Sequence, residues 1–288
     1  MPDIVTRATL TTAEIASIEQ LIAICNRHDN LQMRIGPGML REQMGEAKSN
    51  FLYYEDGKLA GYLWSDSFGT REKELVGMVH PAYRRQGIFR ALLDSAKATY
   101  RQLGIEQLIF ICEHSSQSGL ACLSALGARY SFAEHKMMLG TFHERGHVIE
   151  GLHMRQAGED DIDAIVTLLA TDTGNVVDTL AWVSYLMGQP QYHFYLATLH
   201  SKPLGTLRLD FLEEEHEDWI YAFEVRLGYR GLGYGRQMLE QAIHIARAVN
   251  NYPILLDVET MNTNAIGLYQ SCGFEIKTTY DYYELPIS

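Results

Sequence analysis

The feature that most constrains the fold of this chain is an internal repeat. Residues 79–87 (Val-His-Pro-Ala-Tyr-Arg-Arg-Gln-Gly) align without gaps with residues 225–233 (Val-Arg-Leu-Gly-Tyr-Arg-Gly-Leu-Gly), at an offset of 225 − 79 = 146. The same offset aligns five further pairs: Arg90 with Arg236, Leu93 with Leu239, Arg101 with Arg247, Glu113 with Glu259, and Gly127 with Gly273. So long an ungapped match indicates a duplicated domain. We therefore predict two domains, residues 1–148 and 149–288, with a hinge near residues 145–152.

Length and charge are compatible with this interpretation and exclude some functions. A chain of 288 residues has room for two ordinary domains. It carries 36 acidic and 24 basic residues, a formal net charge of −12. A negative protein lacks the positive surface that binds phosphate backbones, so we expect no nucleic-acid partner.

No segment of the sequence suggests a membrane span or a metal site. No apolar run approaches the roughly 18–20 residues that cross a bilayer, and the amino terminus has no signal-peptide pattern. We expect a soluble, cytoplasmic protein without a membrane partner, either monomeric or homodimeric. The four cysteines are scattered without metal-ligand spacing, so neither a disulfide framework nor a bound metal is predicted.

Each half alternates strands with helices, which predicts the α/β class in its mixed, α+β form. In the first half, apolar spacing predicts a helix over 12–25 with Thr12 as its N-cap, and Asp56-Gly57 predicts a hairpin between strands 51–54 and 59–64. The second half repeats this order. Its elements are a helix over 160–171, strands 193–199 and 204–211 around a turn at 201–203, and an acidic hairpin at 213–218.

A glycine-rich turn in the second half predicts an anion site. Strand 219–225 leads into Arg-Gly-Leu-Gly-Tyr-Gly at 230–235 and then into a helix over 236–249. Free N–H groups and the helix dipole converge at such a turn and favour a phosphate group. The spacing matches neither the Gly-x-Gly-x-x-Gly of dinucleotide-binding folds nor the Gly-Lys-Ser/Thr of P-loops. By itself the turn remains ambiguous, because any turn with positive φ favours glycine.

A second motif follows the predicted strand 254–259. It reads Asn-Ala-x-x-Leu-Tyr-x-x-x-Gly-Phe from Asn264 to Phe274. Together with Arg-x-x-Gly-x-Gly at 230–235, it resembles the acetyl-coenzyme A site of the GNAT acyltransferases. Because the resemblance covers most of each repeat, the chain looks like a tandem GNAT protein, similar to bacterial acetyltransferases of the mycothiol-synthase type. The resemblance implies two domains, each with a mixed, mostly antiparallel sheet flanked by helices.

The resemblance implies acetyl-coenzyme A as co-substrate. Turn amides would bind its pyrophosphate, the pantetheine arm would lie in a gap between two splayed strands, and an N–H near Glu224 or Val225 would bind the thioester oxygen. The implied contact residues in the second half are Phe223, Val225, Arg230, Gly231, Leu232, Gly233, Tyr234, Gly235, Arg236 and Asn264. Those in the first half are Val79, Arg84, Arg85, Gln86, Gly87, Ile88 and Phe89.

The resemblance also implies a proton donor for the departing thiolate. Tyr269 occupies the position of the family's tyrosine, although a tyrosine packed under the sheet would read the same way. The amine also needs a base. Glu224 is the first candidate, with Asp218 and Tyr221 behind it; an ion-paired role for Glu224 stays open.

The two copies differ at the positions that the resemblance assigns to catalysis and cofactor binding. At the offset of 146, Tyr269 aligns with Leu123, Asn264 with Ser118 and Phe274 with Ala128, while Phe89 replaces the last glycine of the turn. We therefore predict that the first copy is degenerate and non-catalytic, and that the second transfers acetyl groups to a primary amine of a small molecule. The alternative is a non-catalytic acetyl-coenzyme A sensor or scaffold. The acceptor would lie near residues 173–191.

Overall fold

The computed structural model describes residues 3–41, 49–65, 71–146, 148–173 and 176–287. The chain forms two compact units. The first unit comprises residues 1–134 together with 278–288, and the second comprises residues 135–277. The predicted division of the repeat at residue 148 stays a prediction.

The two units contain the same elements in the same order, which confirms the tandem fold. In the first, these are β1 (Asp3–Arg7), α1 (Thr12–Asp29), α2 (Pro37–Arg41), β2 (Asn50–Glu55), β3 (Lys58–Ser65), β4 (Glu72–Val79), α3 (Ile88–Gln102), β5 (Gln107–Glu113) and α4 (Gln117–Leu126). β6 (Arg129–Leu139) follows. The second contains β7 (Leu152–Gln156), α5 (Ile162–Thr173), α6 (Val176–Met187), β8 (Tyr192–Leu199), β9 (Lys202–Leu212), β10 (Glu217–Val225), α7 (Tyr234–Val249), β11 (Ile254–Glu259) and α8 (Thr263–Cys272), and β12 (Phe274–Pro286) ends the chain.

Each unit has a mixed, mostly antiparallel sheet, as predicted. In the first unit, β1 to β5 are neighbours in chain order; all pair antiparallel except β4 with β5, which is parallel. Residues 280–286 of β12 pair antiparallel with β5. In the second unit, β7 to β11 repeat this order, and β10 with β11 is the parallel pair.

Both faces of each sheet are covered because strand residues alternate between two apolar clusters. In the first unit, Leu63 and Leu75 belong to the cluster with α3, whereas Tyr62 and Val76 belong to the cluster with α1. In the second unit, one cluster contains residues of α7 and α8, and the other contains residues of α5 and α6.

Two details of the predicted boundaries are wrong. The N-cap of α1 is Thr11 and not Thr12, because Thr11 forms a reciprocal capping box with Glu14. The turn between β8 and β9 lies at His200 and Ser201, whose φ angles are 47° and 67°. Pro203 instead lies within β9, at a register shift that tolerates its missing N–H.

The segment predicted as a hinge is held against α7. The N–H of Arg145 donates to Glu240 at 3.0 Å, and the N–H of Ile149 donates to Gln237 at 2.7 Å. Both acceptors are buried polar side chains. His147 lies outside the described residues. Two hydrogen bonds therefore tie this segment to the second unit, although Val148 between them is exposed.

Candidate functional site

The glycine-rich turn of the second unit has the backbone of an anion site. Gly231 and Gly233 have φ angles of 76° and 91°, and α7 begins directly afterwards without a side-chain cap. Its first N–H groups are therefore available to a ligand. Residues 231–233 are exposed, and Asn264 is exposed in the first turn of α8. Tyr234 is half-buried against Tyr229, so its ring supports the turn.

Beside this turn, the two parallel strands separate. β10 pairs with β11 only from Asp218 to Ile220, so residues 221–225 have no β11 partner. The N–H of Arg226 donates to Leu204 on β9, which turns the N–H of Val225 toward the gap. The gap that the family resemblance implies is present, with this amide at its edge.

β10 also carries a β-bulge that the sequence analysis did not foresee. Its register with β9 shifts between Tyr221 and Glu224, and Ala222 has a φ of 48°. A bulge changes the direction of the following residues and frees local backbone groups from the ladder. It lies at the point where β10 leaves β11, so it changes the course of the strand at the gap.

Tyr269 lies on α8, behind the gap. It is only 7% exposed, and its ring contacts Phe223 and Phe274 at centroid distances of 6.2 and 6.0 Å. Burial raises the pKa of Tyr269 above its ordinary value, and the charge of Glu224 adds to this effect. The hydroxyl therefore stays protonated at neutral pH, as a proton donor requires.

Glu224, the first candidate base, forms an ion pair. Its carboxylate accepts a hydrogen bond from Arg230, whose Nε also donates to the carbonyl of Val225 at 2.7 Å. Arg230 thus ties the turn to the end of β10. Arg236 has a comparable structural role: its guanidinium bonds Glu240, Ser271 and the carbonyl of His143.

Neither of the other two candidate bases stands next to the Val225 amide: Asp218 lies in the part of β10 that pairs with β11, and Tyr221 is the first residue after it. Asp218 stands seven residues before Val225, roughly 20 Å along an extended strand. It is buried, accepts a hydrogen bond from Asn250 at 3.0 Å, and has a pKa raised by burial. Tyr221 stacks on Trp219 at 5.3 Å, and the Arg208 guanidinium lies over its ring at 5.1 Å.

The first unit builds the same turn with different residues. Arg85 has a φ of 65° where the second unit has Gly231, and Gly87 has a φ of 84°. α3 begins at Ile88, again without a side-chain cap. Arg84 donates from Nε to the carbonyl of Val79 at 3.1 Å, as Arg230 does to Val225. Its other nitrogens, however, donate to Asp29 on α1 at 3.0 and 2.6 Å.

A cavity of about 490 Å³ opens beside this first turn. It lies where β4 and β5 part, since their pairing ends at Leu75 with Phe110. Arg85 and Arg90 line it, and neither forms an ion pair with another described residue. Gln86 and Gly87 are exposed, whereas Ile88 is buried in the core. The cavity, its arginines and the uncapped helix suit a phosphorylated ligand.

Leu123 occupies the position of Tyr269 in the first unit. It lies on α4, is buried and lines the cavity. Phe89, in place of the last glycine, packs against Gly77, where an added Cβ would lie 2.6 Å from its ring. In the second unit the two positions are exchanged, because Phe223 aligns with Gly77 and Gly235 aligns with Phe89. This exchange was visible at the offset of 146, although the sequence analysis missed it.

Two further findings concern the described residues alone. They contain no group of three or more His, Cys, Asp or Glu side chains placed to hold a metal ion. In the same part of the chain, no helix is both long and apolar enough to cross a membrane. In the segment predicted to shape the acceptor cleft, residues 174 and 175 lie outside the described residues.

Comparison with known proteins identifies the class. The sequence model of the "Acetyltransferase (GNAT) family" matches residues 17–127 and again 162–274. The chain belongs to this family, as a tandem GNAT protein, and is therefore an N-acetyltransferase of the acyltransferase class. Both matches include a glycine-rich turn and the gap beside it.

Particular relatives match most of the chain. A mycothiol acetyltransferase from Corynebacterium glutamicum is 23% identical over 83% of this chain and 83% of its own length. A GCN5-related N-acetyltransferase from Sphaerobacter thermophilus superposes with a TM-score of 0.81 at 20% identity, covering 99% of this chain and 96% of that one. A tandem GNAT protein from the clavulanic acid biosynthesis pathway gives 0.76 at 15% identity, covering 100% and 99%. These structural likenesses concern the fold.

Proposed function

We propose that the second unit transfers an acetyl group from acetyl-coenzyme A to a primary amine of a small molecule. One observation carries the proposal: a bulged strand edge, an uncapped glycine-rich turn and the buried Tyr269 border the same gap. The relatives named mycothiol acetyltransferases support a small-molecule acceptor.

The proposed reaction assigns one step to each group. The amine nitrogen attacks the thioester carbon, whose oxygen accepts a hydrogen bond from the N–H of Val225. The C–N bond forms, the C–S bond breaks, and the Tyr269 hydroxyl protonates the departing thiolate. Glu224 is the proposed acceptor of the amine proton; its ion pair with Arg230 holds its carboxylate at the end of β10.

The cofactor contacts follow from the same geometry. In each unit we propose that the backbone N–H groups of the turn hold the pyrophosphate, over Gly231–Arg236 in the second unit and over Arg85–Phe89 in the first. The positive φ angles support this assignment because they aim successive N–H groups toward one side of the turn. Arg236 would contribute only its backbone, since its side chain is engaged elsewhere.

A second function is favoured for the first unit, namely acetyl-coenzyme A binding without turnover. Its cavity supports binding, as do Arg85 and Arg90, which form no ion pair with another residue that the structure describes, while Leu123 provides no proton donor. The catalytic and the purely binding function of this chain would thus be divided between its two copies.

Release of free thiol from acetyl-coenzyme A, measured across a panel of small amines, tests the proposal. We expect at least one amine to raise the release rate above the amine-free rate.

Tyr269→Phe should lower kcat by about 10² because a positioned acid is lost, and should leave the KM for acetyl-coenzyme A nearly unchanged. Tyr252→Phe, a half-buried tyrosine of the same unit, is the matched control. Full turnover in Tyr269→Phe, combined with its loss in Gly87→Val, would place the active site in the first unit.

A further inference from the structure

The connection between α1 and α2 also lines the first-unit cavity. We call residues 31–35 the strap. The N–H of Gln32 donates to Glu113 on β5 at 2.5 Å, and the Tyr280 hydroxyl donates to the Gln32 carbonyl at 2.6 Å. Leu31, Met33 and Arg34 line the cavity from the strap. The strap is therefore bound by polar contacts to strands that flank the cavity.

Arg34 of the strap is held as a bound cation would be. Its Nη1 donates to Glu134 at 2.7 Å and also to the Tyr282 hydroxyl. Its guanidinium lies 5.7 and 5.8 Å from the ring centroids of Tyr280 and Tyr282, both of which are buried. A carboxylate, a hydroxyl and two aromatic faces are what proteins use to bind guanidinium and ammonium ligands.

The charges around Arg34 favour a cation at this position. Glu74 on β4 interacts electrostatically with both Arg34 and Glu134. Burial raises the pKa of Glu74, and the neighbouring charge of Glu134 raises it further, whereas Arg34 lowers it. Without the Arg34 charge, the repulsion between the Glu74 and Glu134 carboxylates would be uncompensated, and another cation would relieve it.

We infer that the position of the Arg34 guanidinium, beside the first-unit cavity, is a binding site for a small organic cation, a guanidinium or primary ammonium group, which Arg34 occupies as an internal ligand. Because Arg34 is tethered, its effective concentration at the site is in the millimolar range or above. A weak external cation therefore competes poorly while Arg34 is present. Withdrawal of the strap would open the site.

The test uses the full chain without acetyl-coenzyme A, so its outcome is independent of catalysis in the second unit. Arg34→Met keeps the aliphatic stem and removes the charge. Methylguanidinium chloride and ethylammonium chloride are titrated against sodium chloride at equal ionic strength, with the rise in Tm as the readout. We expect Arg34→Met to bind methylguanidinium with a Kd of about 1–10 mM.

Three comparisons make the test specific. Wild type and Arg71→Met, which removes an exposed ion pair with Glu106, should bind at least tenfold more weakly than Arg34→Met. The double variant Arg34→Met/Glu134→Gln should also bind at least tenfold more weakly, because it lacks the anchoring carboxylate. No saturable response in Arg34→Met, or an equal response in the double variant, would overturn the inference.

Hydrogen exchange provides a second measurement that does not need the Arg34 variants to fold. Glu134→Gln should release Arg34 and raise the exchange rates of the strap amides at least tenfold relative to wild type. Unchanged strap protection in a folded Glu134→Gln protein would also overturn the inference, because Arg34 would then not be held by that carboxylate.

Discussion

The two glycine-rich turns have nearly the same backbone but are anchored differently. In both, an arginine donates from Nε to the carbonyl that ends the preceding strand. In the first unit this arginine, Arg84, continues to Asp29 on α1; in the second, Arg230 returns to Glu224 on its own strand. Arg84 thus links the first turn to a helix, whereas Arg230 links the second turn to its own strand. A duplicated turn can keep its shape while it exchanges its long-range partner.

The gaps beside the turns differ more than the turns do. In the second unit the strand carries a bulge and Tyr269 lies behind it. In the first unit the β3–β4 pairing is regular through Val79, and Leu123 takes the tyrosine position. The proposed phosphate-binding features and the proposed proton donor therefore occupy separate residues. One set can persist after the other is lost.

The largest expected effect is on stability, at the pair of positions where glycine and phenylalanine are exchanged between the units. The first unit has Gly77 and Phe89, and the second has Phe223 and Gly235. Gly77→Val should destabilise the first unit by about 2 kcal/mol by overpacking, since its Cβ would lie 2.6 Å from the Phe89 ring. Phe89→Ala should cost about 2 kcal/mol by leaving a cavity. In the double variant the valine fills the vacated space, so the combined loss should fall short of the sum by about 1 kcal/mol or more.

Chemical denaturation of the four proteins measures this coupling. Gly77→Val combined with Leu103→Ala, an exposed side chain on the same unit, is the additive control. If the Gly77→Val and Phe89→Ala losses simply add, the ring and the glycine are not a compensating pair.

The glycines at positive φ provide the next test of the comparison. Gly233→Val should weaken acetyl-coenzyme A binding to the second unit at least tenfold, about 1.4 kcal/mol, because a β-branched residue strains a φ of 91° and crowds the amides. Gly87→Val, at a φ of 84°, should weaken binding only to the first unit. Calorimetric titration should give two sites in wild type and one in each variant. Thiol release should fail only in Gly233→Val, and equal turnover losses in both would contradict the division of labour.

The smallest effect concerns the Asp29 link to Arg84. Hydrogen bonds from Arg84 lower the pKa of Asp29. The ion pair therefore stabilises the fold fully at pH values above the ordinary pKa of an aspartate. This stabilisation is lost as the pH falls through the lowered pKa of Asp29. Asp29→Asn should therefore cost about 1 kcal/mol at pH 7 and progressively less below about pH 4. Denaturation midpoints at several pH values measure this. Glu106→Gln, in an exposed pair, should change little at any pH, and a pH-independent loss in Asp29→Asn would argue against the ion pair.

Local patterns predicted most of the elements correctly. Asp56 and Gly57 form the turn of the first hairpin, with φ angles of 49° and 76°, and the acidic run at 213–218 spans the turn into β10. Gly127 and Gly273, aligned by the repeat, both end helices in the left-handed conformation. These signals are local because each depends on a few neighbouring residues.

The errors and omissions arose where a distant residue decides the outcome. Nothing near Ala222 in the sequence announces a bulge, because a bulge is a mismatch between two strands. Asp29 lies 55 residues from Arg84, and Arg34 lies 248 residues from Tyr282. Single-sequence patterns cannot pair side chains over such separations.

By itself, the sequence determined the duplication, the order of strands and helices in each copy, the glycine-rich turns and the family. These follow from periodicity, turn chemistry and motif spacing, which are properties of short segments. Only the tertiary structure decided which partner anchors each turn, that the first unit keeps an open cavity, and that Arg34 lies beside it on Glu134 and Tyr282. Such contacts form between residues distant in the chain, and their energies depend on burial and geometry that exist only in the folded protein.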